Sequence, residues 1–147
     1  MMRKIVLVSL VIIMAISIVG CAQKADNSAV SAYADDITEK MLLAYNEDNY
    51  AQYIQNTDDQ FRAAVSEDKM KQGNQVVRDK IGNYVLGSKQ YTDAVKTTQN
   101  NLKYVAVRYT AKFTNETGDV VITMVFDDNE SHQVGGIFFN SPKLRQP

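Results

Sequence analysis

Cys21 is the residue whose type and position most directly indicate chemistry. It is the only cysteine in the 147-residue chain, and it directly follows an apolar run that ends in Ile18-Val19-Gly20. A thiolate is a nucleophile and a metal ligand. Because there is no second cysteine and only one histidine, a disulfide within the monomer and a zinc cluster are both excluded. Cys21 is therefore either a site of covalent modification or a small apolar side chain.

His132 is the only histidine, and it follows Asp127, Asp128 and Glu130 in a stretch that predicts a turn. These residues could form an acid–base pair or simply a solvated turn. The turn is the favoured interpretation, because neighbours in a turn rarely point into one pocket. The stretch also lacks the glycine and the final glutamate of a calcium loop. With no phosphate-binding glycine loop and no Ser-His-Asp set, we predict no catalytic residues, no cofactor and no metal.

The residues before Cys21 have the three zones of an export signal. A short positive start, "MMRK", precedes 14 almost wholly apolar residues from Ile5 to Ile18, and small or branched residues follow. This order is typical of a cleaved secretory signal. A membrane-spanning helix needs about 20 apolar residues. The run is shorter than that, so we expect residues 1–20 to be a signal peptide.

Ile18-Val19-Gly20-Cys21 resembles the lipobox of prokaryotic lipoproteins. The resemblance implies cleavage between Gly20 and Cys21 and a diacylglyceryl group on the Cys21 thiol. The alternative is an ordinary signal peptide with a chance cysteine. Two or three acyl chains, at about 0.8 kcal/mol per buried methylene, would anchor the protein durably. We therefore expect attachment to the cell membrane, on its extracytoplasmic face, through lipid on Cys21.

Composition and charge restrict the class of protein and its partners. A hydrophobic content of 45% fits a globular chain. Without Arg3 and Lys4, 14 basic residues face 17 acidic ones, which gives no electrostatic reason to expect nucleic acid as a partner. The polar stretch "AQKADNS" predicts a tether over residues 21–28 that reaches at most about 25 Å. Residues 29–147 are then one domain.

Apolar spacings of three and four residues predict helices in the first half of this domain. Ser66 followed by Glu67 and Asp68 predicts the start of a helix, and Gly82 predicts its end. The clearest apolar stripe contains Val30, Tyr33, Ile37, Met41 and Ala44.

The second half alternates apolar and polar residues, which predicts strands. "LKYVAVRYTAKF" predicts a long half-buried strand, "VVITMVF" a strand apolar on both faces, and "HQVGGIFF" the last strand. "YVLGSKQYTDAVKTTQ" predicts a first strand, with Gly87 as a bulge. Gly118 predicts a turn with positive φ. Helices followed by an antiparallel meander indicate an α+β fold, with helices packed on a curved sheet of about four strands.

The order of these segments, and the closing "VFDDNESHQVGGIFF", resemble the nuclear-transport-factor-2-like superfamily over most of residues 29–139. The resemblance implies a cone-shaped fold with a cavity between sheet and helices. The candidate residues that line this cavity are Tyr109, Phe113, Met124 and Phe126. Fold alone does not decide between enzyme and binding domain in this superfamily.

Two functions remain open from the sequence. The favoured one is a non-enzymatic module that binds a small ligand or an envelope protein. The alternative is a small enzyme of the isomerase, dehydratase or hydrolase type, with Tyr109 or an inward acid as its polar group. The apolar second face of the last two strands predicts contact with another envelope protein or a second copy of the chain. The candidate residues for this contact are Val121, Val125, Ile137 and Phe139.

Overall fold

A computed structural model describes residues 23–147, so the predicted signal peptide, Gly20 and Cys21 lie outside the described residues. Four helices come first: α1 (Asn27–Glu47), α2 (Tyr50–Tyr53), α3 (Asp59–Ala64) and α4 (Glu67–Ile81). Within residues 23–147, no helix is long and apolar enough to cross a membrane.

Polar caps decide where the helices begin. The Asp26 carboxylate accepts a hydrogen bond from the Ser28 N–H at 3.0 Å, and the Asp58 carboxylate accepts one from the Phe61 N–H at 2.7 Å. The Ser66 hydroxyl accepts one from the Lys69 N–H at the start of α4. Each cap satisfies an amide that has no partner within its own helix. The start predicted at Ser66 is confirmed, and α4 ends at Gly82 as predicted.

The strands are β1 (Gln23–Lys24), β2 (Gln90–Gln99), β3 (Leu102–Ala111), β4 (Val120–Asp127) and β5 (Val134–Asn140). They form one antiparallel sheet in chain order, which is curved and does not close into a barrel. The predicted α+β fold of helices followed by a curved sheet is confirmed. The sheet has five strands rather than about four, because β1 adds a short edge strand.

Residues 23–28 belong to the folded domain, so the expectation that they form part of a tether is wrong. Gln23 pairs with Lys96, Lys24 pairs with Val95, and the Ala25 N–H donates to the Ala94 carbonyl at 3.2 Å. The polar composition of this stretch suits an edge strand as well as a tether, because exposed edge positions carry polar side chains.

The core lies between the sheet and the helices, and strict alternation in β3 and β4 puts one side of each strand into it. The predicted inward residues of β3 and β4 are buried, whereas their neighbours Ala106, Arg108 and Val121 are not. The buried Tyr45 of α1 links this helix to the end of α4, because its hydroxyl donates a hydrogen bond to the Gly82 carbonyl at 2.8 Å. The buried residues of β3 and β4 are Val105, Val107, Tyr109, Ala111, Val120, Ile122, Met124 and Phe126.

The expected facing of β5 is wrong at Ile137 and Phe139. Val134 pairs with Phe126 and Gly136 with Val125, so Gly135 is an extra residue at a β-bulge. The bulge reverses the alternation, and Ile137 and Phe139 pack against the core on the same side as Val134.

The structure changes the predicted roles of Gly87 and Gly118. Gly82 and Gly87 have φ of 78°, in the region that favours glycine, whereas Gly118 is not among the glycines with positive φ. Gly87 lies in a turn before β2 rather than at a bulge within a first strand. A Cβ on Gly82 would meet the Thr114 hydroxyl, so this helix end also requires the absence of a side chain.

Candidate functional site

The four residues predicted to line a cavity are closely packed core residues. Tyr109, Met124 and Phe126 are fully buried, and Phe113 is 3% exposed. Phe126 meets the Tyr33 ring of α1 edge-on, with 5.2 Å between ring centroids. At these positions the space between helices and sheet is therefore filled by side chains.

Tyr109 is the residue predicted as the polar group of this interior. Its hydroxyl donates a hydrogen bond to Asp35 of α1 at 2.8 Å. Burial raises the pKa of Tyr109, and the hydrogen bond to Asp35 raises that pKa further. The Lys89 ammonium lies 4.6 Å from the centroid of the Tyr109 ring. A neutral phenol that donates to a carboxylate fixes α1 on the sheet, and it does not act as a base at neutral pH.

An open cleft of about 370 Å³ lies at one end of the sheet. The β2–β3 turn, the β4–β5 loop and the start of α3 meet there, because the Asp128 N–H donates to the Lys103 carbonyl at 3.0 Å. The Asp58 N–H donates to the Val134 carbonyl at 2.9 Å and fixes the α3 side. The lining residues are Asp58, Asp59, Gln60, Leu102, Lys103, Tyr104, Asp127, Asp128, Asn129 and Gln133.

Acidic side chains dominate the electrostatics of this cleft. Burial raises the pKa of Asp127, and the nearby Asp58 carboxylate raises that pKa further. Asp128 is paired with Lys96, with 3.4 Å between nitrogen and oxygen. Within residues 23–147, no group of three or more His, Cys, Asp or Glu side chains is arranged to hold a metal ion. The cleft offers carboxylate oxygens as hydrogen-bond acceptors.

His132 lies in the predicted turn, with φ of 46°, but its ring is not simply solvated. It stacks on Tyr33 of α1, with 3.8 Å between centroids and an interplanar angle of 2°. Its Nδ1 is buried without a hydrogen-bond partner, so no acid orients that nitrogen as in an acid–base pair. The sequence carries no signal for this stack, because Tyr33 and His132 are far apart along the chain.

The outward side of the sheet, opposite the helices, is the second candidate surface. We call it the outer face, and it contains Val121, Val125, Phe138 and the ion pair between Arg108 and Asp93. Val121 and Val125 are half-buried, and Phe138 is 54% exposed. Small and apolar residues form a continuous cross-strand row through its centre: Val95, Ala106, Val125 and Gly136.

The outer face therefore keeps two of the four residues predicted for partner contact. Val121 and Val125 point outward, whereas the bulge at Gly135 turns Ile137 and Phe139 inward. Phe138 takes their place on the outer face, paired across from Thr123. The Gly135-Gly136 pair was the available signal, since glycines inside a strand often mark a bulge.

Comparison with known proteins places the chain in a family. No curated protein and no solved structure matches it. Residues 38–132 match the family described as "Protein of unknown function (DUF3887)". The match runs from Thr38 in α1 to His132 in the β4–β5 loop, and it includes the hairpin of β2 and β3 and all of β4. Since it covers more than half of the chain, the protein belongs to the DUF3887 family.

Proposed function

We propose that the protein is a membrane-anchored envelope lipoprotein whose domain is a non-enzymatic binding or accessory module. Its anchor is lipid on Cys21, and its domain is of the nuclear-transport-factor-2-like type. The curved open sheet under four helices is consistent with that cone-shaped type. The ligand or partner would be met outside the cytoplasm, at the membrane surface.

The arrangement around Cys21 supports the anchor. A charged start and an apolar run precede Ile18-Val19-Gly20-Cys21, and the folded domain begins at Gln23. A processing site needs to be accessible, and in the sequence this one follows the apolar run and precedes the first strand of the domain.

The interior is filled, whereas the outer face exposes apolar side chains. This contrast supports binding rather than catalysis, and it is the observation that carries this part of the proposal. The interior is filled by side chains such as Tyr109 and Phe126, each 0% exposed. The carboxyl with a raised pKa, Asp127, lines an open cleft rather than the interior. An enzyme that used the cone would need a polar group facing an enclosed space. The outer face instead offers apolar area to a partner.

Cys21→Ser tests the anchor. The variant cannot form the thioether to diacylglycerol, so we expect loss of lipidation and of the cut between Gly20 and Cys21. Fractionation of the envelope and mass spectrometry of the amino terminus measure both. Unchanged acylation of a cleaved species would contradict the proposal. As a control, a chain without residues 1–21 should be soluble and folded, because its apolar run is gone.

Native mass spectrometry tests the binding module. The lipidated chain is extracted from its own envelope in a mild detergent and is measured without denaturation. We expect a retained small ligand or a second protein. Turnover of a substrate by the domain, lost in Tyr109→Phe while the fold is kept, would instead support the enzyme alternative.

A further inference from the structure

The direction of β1 indicates which end of the domain is closest to Cys21. β1 is antiparallel to β2, with Gln23 opposite Lys96 and Lys24 opposite Val95. Moving from Lys24 to Gln23 therefore moves along β2 toward Gln99, where the strand ends. The chain enters the domain from the side of the β2–β3 turn.

Very little chain separates Cys21 from this entry point. Only Ala22 lies between Cys21 and Gln23 in the sequence. Two residue steps span at most about 7 Å, whatever their conformation. A lipid on Cys21 thus holds Gln23 and its partner Lys96 near the level of the lipid headgroups, because no flexible spacer intervenes.

We call the end of the sheet beyond Lys96 the hairpin end. It contains the β2–β3 turn at Asn100-Asn101, both in the left-handed region with φ of 51° and 64°, and the β4–β5 loop. Leu102 is 49% exposed there. The opposite end carries the β3–β4 connection with Gly118. The ten residues of β3 separate the two ends by about 30 Å.

We propose that the hairpin end lies against the bilayer surface, with the strands upright and Leu102 as the apolar contact at headgroup level. This proposal rests on the proposed lipid anchor at Cys21. It assigns a lipid surface as the partner of the β2–β3 turn. The outer face is then roughly perpendicular to the bilayer surface and lies outside it. A neighbouring membrane protein can reach this face from the side.

The charges at the hairpin end indicate that attraction to anionic lipid does not hold it there. Acids outnumber lysines in this region, and Lys96 is already paired with Asp128. The tether length and the apolar side chain of Leu102 are the holding forces, so screening by salt should change the contact little. The basic residues in question are Lys24, Lys96, Lys103 and Arg62, which is paired with Asp59, and the acidic ones are Asp58, Asp59, Asp127, Asp128 and Glu130.

Two single-cysteine probes on the full lipidated chain test this orientation. Lipidated Cys21 has no free thiol, so a thiol-reactive fluorophore labels only the new cysteine. Gln99→Cys puts the probe on the hairpin end, and Gly118→Cys puts it at the opposite end. Both positions are exposed, and a Cβ on Gly118 meets nothing within 4 Å. The labelled proteins are reconstituted into phosphatidylcholine vesicles that contain a bromine-labelled quencher lipid.

We expect the probe at position 99 to lose most of its fluorescence and the probe at position 118 to keep it. High salt should leave this difference unchanged. A Gly-Ser linker of about ten residues between Ala22 and Gln23, which allows an excursion of roughly 17 Å, should remove most of the quenching at position 99. Leu102→Ser should weaken the quenching at position 99 while leaving the lipid attached.

The outcomes separate this proposal from the proposed anchor. Equal quenching of the two probes, on a chain whose mass shows the diacylglyceryl group, would overturn the orientation and leave the anchor standing. Quenching at position 99 that survives the linker unchanged would also overturn it, because tether length would not be the cause. A mass that shows no lipid on Cys21 would overturn both proposals.

Discussion

The two faces of the sheet are made by alternate residues of the same strands, yet they differ sharply in how far their side chains are buried. On the inner face, Val107, Ile122, Met124 and Phe126 are fully buried under the helices. On the outer face, Phe138 is 54% exposed. The inner face therefore buries more apolar area than the outer face, and it contributes more to the stability of the fold.

This difference locates the residues that could serve a partner. An apolar side chain on the inner face is explained by packing, so it carries no information about function. Val121 and Val125 are half-buried and Phe138 is exposed, so burial in the described domain accounts for only part of their apolar character. The same reasoning makes Asp127 and Tyr104, on the outer face, more accessible to a partner than Tyr109 on the inner face.

Phe126→Ala and Phe138→Ala compare the two faces at matched side chains, and the first should have the largest effect. Removing the buried ring leaves a cavity beside Tyr33, so the free energy of unfolding should fall by about 3–5 kcal/mol. Phe138→Ala on the outer face should change it by at most about 0.5 kcal/mol. Urea denaturation of the domain measures both. Similar losses in the two variants would show that the faces do not differ in this way.

Tyr109→Phe and Tyr104→Phe make the same comparison within β3 by removing one hydroxyl. The Tyr109 hydroxyl donates to Asp35 at 2.8 Å, so its loss should lower the free energy of unfolding by about 1–2 kcal/mol. Tyr104 lies on the outer face and makes no side-chain hydrogen bond within the described residues, so its variant should melt like the parent. Calorimetry of the pair tests this, and a larger loss from Tyr104→Phe would reverse the assignment of the faces.

The sequence predicted the inner face of β3 and β4 well because strict alternation leaves little choice of register. The alternation of Val105, Val107 and Tyr109 places three residues on one side of β3, and a slip of one residue would expose all of them. Helix starts such as Ser66 were predictable for a similar reason, because a cap needs particular side chains. These signals are local, so they can be read without knowing the rest of the fold.

The outer face and the cleft were harder to predict because they depend on irregular and long-range structure. A single extra residue, Gly135, reverses the facing of Ile137 and Phe139. The meeting of Asp58 with Asp127, and of Tyr33 with His132, depends on how α1 and α3 dock on the sheet. The edge strand at Gln23 forms only because β2 offers unpaired backbone groups there.

Asp127→Asn tests the outer face at the end of β4. Its effect on stability should be smaller than that of the preceding inner-face substitutions and should depend on pH. Burial and then Asp58 raise the pKa of Asp127 above its unfolded value of 3.8. The native state binds more protons between the two pKa values, so this carboxyl's contribution to stability is full below pH 3.8 and is lost as the pH rises through the folded pKa. The variant should therefore melt slightly above the parent at neutral pH and lose this advantage in acid.

Melting temperatures from acid to neutral pH measure the effect of Asp127→Asn as a difference from the parent. Glu130→Gln is the matched control, since it also removes one acid, but from an exposed position in the neighbouring β4–β5 loop. A difference of the opposite sign, in which the parent gains on the variant as the pH rises, would show that the carboxylate is stabilised rather than penalised in this cleft.

Val125→Lys should have the smallest effect on stability and the clearest effect on association. Val125 lies between Ala106 and Gly136 in the cross-strand row, so a lysine stem can lie along these small neighbours with its ammonium in water. We expect a melting temperature close to that of the parent. A charge in the centre of an apolar contact would, however, be desolvated without a partner, so self-association or capture of an envelope partner should weaken.

Light scattering and cross-linking in the envelope measure this, with Thr117→Lys in the β3–β4 connection as the control for added charge. A domain that is monomeric at all concentrations, and that cross-links to the same envelope proteins with either lysine, would show that the outer face is not a contact surface.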